Sequence, residues 1–219
     1  MNSSVFRTDI RLERQRTSTR FNVDTAASPA FSDLFHAIDG LRVSGLPVVV
    51  QFAGTDTQAA TANVASGFAR AAARASATPI LYVDATGSGI WAGPDMLRAF
   101  RDGVTPAEIA LPTHEPRIRW AATGRMLALA GEEASQLLDA IRACFALTVI
   151  DCGPMGSGTN AVPLARHCDG SVLVTQAGAT RHSAISLSRS AIERAGGKLL
   201  GAAMSDADDT LPRWLATRL

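Results

Sequence analysis

The residues of this chain best placed for chemistry are one short polar run and two carboxylates. The apolar segment Pro47-Val48-Val49-Val50-Gln51-Phe52 passes into Ala53-Gly54-Thr55-Asp56-Thr57-Gln58 and then into an alanine-rich stretch. Asp84 and Asp151 each close an apolar run of their own, Pro79-Ile80-Leu81-Tyr82-Val83-Asp84 and Leu147-Thr148-Val149-Ile150-Asp151. Strand, loop and helix in that order make a phosphate-binding loop, in which backbone N–H groups, a helix N-terminus and one lysine ammonium converge on the phosphates. Carboxylates at strand ends can hold Mg²⁺ through water. Gly54, Thr55, Asp56, Thr57 and Gln58 are therefore the candidate phosphate-loop residues, and Asp84 and Asp151 the candidate magnesium ligands.

The ammonium is missing. Lys198 is the only lysine of the chain, far from this loop, and no arginine takes its place there. A unit charge about 4 Å from a phosphate oxygen is worth roughly 4 kcal/mol at an effective dielectric of 20, and Asp56 adds a charge of the opposite sign. Even if solvent and Mg²⁺ halve that swing, the loss of affinity is on the order of a thousandfold. Tight ATP binding is not expected, and no cofactor is expected with it. The plainer alternative is a Gly-Thr-Asp turn capping a helix, since Thr55, Asp56 and Thr57 are all good N-caps. For Asp84 and Asp151 the plainer alternative is a buried or capping carboxylate.

These residues need elements to position them. A short helix is expected over Asp33–Asp39, capped by Ser32 and ended by Gly40. Strands are expected over Val48–Phe52, Pro79–Asp84, Arg117–Ala122, Leu147–Asp151, Asp169–Thr175 and Leu199–Met204. Helices are expected over Ala59–Ala75, around Pro94 to Arg101, from Thr105-Pro106-Ala107-Glu108, over Glu132–Phe145 and over Arg181–Ala195. Strands alternating with helices at this spacing imply right-handed crossovers and a buried, mostly parallel sheet, with any ligand at the strands' C-terminal ends.

Bulk properties agree with one α/β domain. The chain has 219 residues, is 47% hydrophobic, and carries a net charge of +1. That balance gives no case for a nucleic-acid partner, and no apolar run reaches the roughly 20 residues of a membrane span. With no secretory signal in view, the expected location is the cytoplasm, at the periphery of the inner membrane if the basic arm engages it. Cys144, Cys152 and Cys168 have neither paired metal spacing nor an even count, and Cys144 and Cys152 are expected to be small buried hydrophobes. His167 and Cys168 are adjacent in the chain and so point different ways, which argues against a ligand pair. The chain divides into a polar, arginine-bearing arm over 1–29, the α/β domain over 30–205 and a tail over 206–219. The arm is either a solvated tail or a contact for an anionic membrane surface or an acidic partner segment.

The wording of these segments resembles the bacterial tyrosine kinases of capsule and exopolysaccharide synthesis, P-loop ATPases related to the deviant-Walker partitioning proteins. The resemblance rests on Leu147 to Pro154, on Asn160 to Gly170, and on Val172-Leu173-Val174-Thr175-Gln176-Ala177-Gly178-Ala179-Thr180, with Gly103 to Ile109 and Lys198-Leu199-Leu200-Gly201 in support. It covers roughly Ser28 to Ser205 and implies a three-layer, P-loop NTPase-like α/β fold. Judged by Ala62-Asn63-Val64-Ala65, the family's lysine position falls on Thr57 and its magnesium-binding hydroxyl on Gln58. Asp84 matches the first aspartate of the second acidic motif, with Thr86 where the next would be, and Asp151 matches the third motif. The family's tyrosine-rich tail has no counterpart, because Tyr82 is the sole tyrosine. Asp33, His36 and Asp39 stand where the ring-forming helix of the family has a glutamate and two arginines.

The resemblance, with the loop's missing charge, implies a catalytically degenerate, kinase-like accessory of exopolysaccharide or capsule synthesis and export. Its partner would be the cytoplasmic face of a polysaccharide co-polymerase or chain-length membrane protein, and further copies of the chain would be a second kind of partner. One alternative is a weak ATPase or an active kinase completed by a partner, which alone would need ATP and Mg²⁺, with Arg181 as the in-chain arginine. The other is a partitioning-type or positioning adaptor, for which Leu211 to Leu219 would be a short amphipathic anchor.

Overall fold

The computed structural model describes residues 29–40, 46–57, 59–87, 95–123, 131–155 and 160–205. The polar arm and the tail lie outside them. Helix α1 (Pro29–Asp39) precedes strand β1 (Val48–Gly54), helix α2 (Thr61–Ala75) and strand β2 (Ile80–Asp84). Then come α3 (Met96–Arg101), α4 (Pro106–Ile109), β3 (Leu111–Pro112), β4 (Ile118–Ala122), α5 (Gly131–Cys144) and β5 (Leu147–Pro154). The chain continues through α6 (Ala161–Ala165), β6 (Gly170–Gln176), α7 (His182–Arg194) and β7 (Leu199–Ser205).

The strands form one seven-stranded sheet in the order β3-β4-β2-β5-β1-β6-β7. Every pairing is parallel except β3 with β4. Runs such as Val48-Val49-Val50 and Val172-Leu173-Val174 carry apolar residues on consecutive positions because a sheet covered on both faces buries both sets of side chains. Two core layers result. Phe35 and Ile38 of α1 and Val64, Phe68 and Ala72 of α2 pack with Val50, Phe52, Tyr82 and Val149 on one face. Leu137, Leu138 and Ile141 of α5 and Leu164 of α6 pack with Val49, Leu81, Val83 and Ile150 on the other. The mostly parallel sheet between helical layers is the expected P-loop NTPase-like architecture.

Local differences from the sequence expectation have physical reasons. Helix α1 starts at Pro29, so Ser32 lies inside it and is no cap; Pro at the first turn loses no helical hydrogen bond. What anchors α1 is packing: the Phe31 ring sits 2.5 Å from where a Cβ on Gly67 would be, so only glycine lets the two helices come this close. Helix α2 begins at Thr61, later than Ala59. Strand β5 runs on to Pro154, beyond the expected end at Asp151. Helix α4 carries the expected start as a capping box between Thr105 and Glu108, and those hydrogen bonds hold the Glu108 carboxyl below its ordinary range. Strand β3 and helix α6 were not expected, being too short to show a period.

Candidate functional site

The C-terminal ends of β1, β2, β5 and β6 bring the candidate residues to one rim of the sheet. Asp84 and Asp151 are directly paired in the β2–β5 register, and Phe52 pairs with Asp151 in the β1–β5 register. Because side chains alternate along a strand, Tyr82, Asp84, Asp151, Phe52 and Gly54 share the face that α2 covers. Strand geometry thus unites the two acidic candidates beside the loop, as their position in the sequence suggested.

Each carboxylate is served by near neighbours. Asp151, only 2% exposed, accepts the Tyr82 hydroxyl at 3.1 Å and the Gly153 N–H at 3.0 Å. Gly153 has φ +67°, a backbone state glycine adopts freely, and that turn aims its N–H back at the carboxylate. Asp84, 5% exposed, accepts the Thr86 N–H at 3.1 Å and the Thr86 hydroxyl at 2.7 Å. The two carboxylates are therefore held in place by a tyrosine, a glycine amide and a threonine. Among the described residues no group of three or more His, Cys, Asp or Glu side chains is arranged to hold a metal ion.

The loop is strapped to its surroundings. The Thr55 N–H and hydroxyl both donate to the Val174 carbonyl, at 2.9 and 3.2 Å, and the Met155 N–H donates to the Gly54 carbonyl at 2.7 Å. The Asp56 carboxylate accepts the Ala59 N–H on one oxygen at 3.0 Å and the Thr180 hydroxyl on the other at 2.9 Å. Thr180 in turn accepts the Gln176 N–H at 2.8 Å, so Asp56 ties the loop to the turn after β6. None of Thr55, Asp56 and Thr57 caps α2; Ala60 is its N-cap, with no side-chain cap bond. A carboxylate of the protein thus holds a loop amide that in a phosphate loop faces the ligand. Gln58 lies outside the described residues.

The helix start also fixes the loop's register. Gly54-Thr55-Asp56-Thr57-Gln58-Ala59-Ala60-Thr61 has the length of the pattern G-x-x-x-x-G-K-[ST] between strand end and helix start. Counted along that pattern, Ala59 and Ala60 fall at its second glycine and its lysine, and Thr61 at its hydroxyl residue. This register differs from the one that sets the lysine position on Thr57, which lies between the strand end and the helix start. Thr61 is 3% exposed, and a Cβ on Gly54 would come within 2.5 Å of its hydroxyl oxygen.

Thr57 is exposed and, with Asp56, Ala179, Arg181, Ser183, Ala184 and Leu187, lines a shallow groove of about 300 Å³ beside the loop. Arg181 is the exposed N-cap of α7 and makes no cap bond through its side chain. The thiols sit elsewhere. Burial pushes Cys168 up to about 12 and, with the neighbouring Cys168 and Asp151, holds Cys152 well above the ordinary thiol range. Cys144 is exposed, contrary to the expectation of a buried hydrophobe. Sequence reasoning missed the parts played by Tyr82, Thr61 and Thr180. Thr180 is 124 positions from Asp56, and no local pattern joins them.

No family model matches the chain. The tyrosine-protein kinase CpsD of Streptococcus agalactiae is 28% identical over 109 residues, which are 48% of this chain and 48% of CpsD. The chain thus matches about half the length of this curated relative. The kinase domain of the Escherichia coli tyrosine kinase ETK superposes with a TM-score of 0.68 at 16% identity, covering 87% of this chain and 80% of that domain. Cobyrinic acid a,c-diamide synthase of Mycobacterium smegmatis, with bound ADP and magnesium, gives 0.60 at 17% identity over 73% of this chain and 74% of that one. At these identities the structural matches show the P-loop NTPase-like fold. No helix among the described residues is long and apolar enough to cross a membrane.

Proposed function

We propose that this chain, which is similar to the tyrosine-protein kinase CpsD over about half its length, belongs with the bacterial tyrosine kinases of capsule and exopolysaccharide biosynthesis and serves such a pathway as a catalytically degenerate, kinase-like accessory protein. One observation carries the reading: a loop with alanine at the lysine position is bridged by its own carboxylate, Asp56, which takes the Ala59 N–H and the Thr180 hydroxyl. A γ-phosphate entering there meets negative charge where an ammonium is needed. Tyr82, the sole tyrosine of the sequence, is a core residue whose hydroxyl is bonded to Asp151, so it is not placed to accept a phosphoryl group in the folded domain. What remains useful is the folded scaffold. It acts through surface contact with the cytoplasmic face of a polysaccharide co-polymerase or chain-length protein, with the arginines of the arm as further contacts.

A second reading has its own support. Thr61 keeps a hydroxyl at the helix start, and Asp84 and Asp151 lie side by side at the strand ends. A partner that supplies the missing cation, aided by Arg181, would complete a weak ATPase that uses ATP and Mg²⁺. ATP turnover by the full chain, alone and with the cytoplasmic segment of such a co-polymerase, separates the two. Complex formation without turnover is expected; turnover that Asp151→Ala abolishes would overturn the degenerate reading.

A further inference from the structure

The end of the sheet opposite the loop holds a second cavity. It measures about 450 Å³, and its walls include Pro79 ahead of β2, Ala107 of α4, Arg119 of β4, and Cys144, Phe145 and Ala146 where α5 turns into β5. Small-molecule sites span about 300–1,000 Å³. Arg119 is the feature that its surroundings do not explain. Leu81 pairs with Arg119 on one side and with Thr148 on the other, so Arg119 lies on the sheet face that α5 covers. Its counterpart on β3 is Pro112. The arginines at least partly buried among the described residues are Arg70, Arg119 and Arg142. Arg70 lies 4.0 Å from Glu115, and Arg142 pairs with Asp139 and Asp169. Of the three, Arg119 has neither a carboxylate nor a side-chain hydrogen bond among the described residues. Withdrawing a guanidinium from water without a counter-charge costs free energy that an anion offsets.

We infer that this cavity is a binding site for a small organic anion, whose carboxylate or phosphate head meets Arg119 and whose apolar body lies against Pro79, Phe145 and Ala146. A planar guanidinium takes either head through two parallel N–H bonds. Cys144 is the last residue of α5 and brings that helix's partially negative end to the wall, so an anion is held there by Arg119 or not at all. A neutral molecule of the same shape lacks that contact. The site stands apart from any nucleotide chemistry. It lies where β2, β4 and β5 begin, whereas Asp84 and Asp151 lie toward the other ends of β2 and β5.

Cys144 reports on occupancy. It is the exposed thiol, whereas Cys152 and Cys168 are buried, so alkylation of the folded full chain by iodoacetamide, read by mass spectrometry, falls on Cys144. Benzoate and phenyl phosphate are the probes, and benzamide is the neutral control. Either anion at about three times its dissociation constant is expected to slow the alkylation about fourfold, and benzamide is expected to leave it unchanged. A response to either anion supports the site, and the one effective at lower concentration identifies the head. Arg119→Gln abolishes the protection, and Arg119→Lys retains part of it. Amide chemical shifts of Ala107 and Ala146 follow the same titrations, so an anion that binds without shielding the thiol is still seen. Thermal unfolding midpoints reveal whether Arg119→Gln folds; if it does not, Ala107→Leu, at an exposed position, fills the cavity instead and should abolish both signals. Equal protection by benzamide, an anion response that survives Arg119→Gln or Ala107→Leu, or no response to either anion up to about 20 mM would each overturn the inference.

Discussion

Two neighbouring parts of one rim are built in different ways. On the β2–β5 side, Asp84 and Asp151 lie paired and buried, each fixed by two donors. On the β1–α2 side, the segment from Gly54 to Thr61 carries no lysine or arginine, and its Asp56 carboxylate is bonded to the Ala59 N–H and the Thr180 hydroxyl. The contrast teaches that a fold of this kind stores its architecture and its affinity in separate places. Architecture resides in apolar strands and in α2, which pack regardless of what the loop binds. Affinity resides in one or two charges that the core never contacts.

If that separation is right, the largest effects belong to the scaffold. Phe68 of α2 is fully buried and its ring lies 5.2 Å from that of Phe52. Phe68→Ala is expected to cost about 3–5 kcal/mol in urea unfolding, and a cost typical of a surface site would break the distinction. Next comes the acidic side of the rim. Tyr82→Phe removes one donor from a buried carboxylate and is expected to cost about 1–3 kcal/mol, with Asp151→Asn in the same background recovering part of the loss. The loop itself should matter least to folding: Asp56→Ala, at a half-exposed position, is expected to cost about 1 kcal/mol in the same assay. Its consequence shows instead in ligand binding, since Asp56→Ala combined with Ala60→Lys is expected to raise affinity for Mg-ATP by about a hundredfold or more over the parent chain.

The smallest effect is a pH dependence. Burial, with Arg166 and Arg142 nearby, holds the His167 pKa below its ordinary value of 6.5. The folded state therefore binds fewer protons than the unfolded one in the window just below that value. Stability is full above pH 6.5 and falls as pH drops through the window, and His167→Gln should flatten this slope in urea midpoints measured between pH 5 and 8. A slope unchanged by the substitution would assign it to other groups.

Much of the fold could be read from residue order, because β-branched runs such as Val48-Val49-Val50 and capping sequences such as Thr105-Pro106-Ala107-Glu108 announce themselves locally. Strand β3 and helix α6 could not, since two residues and five residues show no period, and Pro163 sits inside the latter. The site was partly legible. Asp84 and Asp151 were placed by their strand ends, and the adjacency of β2 and β5 did the rest. The helix start was not, because Ala59, Ala60 and Thr61 carry no side-chain cap that marks where α2 begins. The bond from Thr180 to Asp56 joins distant parts of the chain and exists only once β6 lies beside β1.

Titration calorimetry of Mg-ATP into the full chain tests the central claim most directly. A loop closed by its own carboxylate and lacking an ammonium predicts no saturable binding below about millimolar concentrations. A micromolar dissociation constant for the unaltered chain would show that the loop still grips a triphosphate, and would contradict the account.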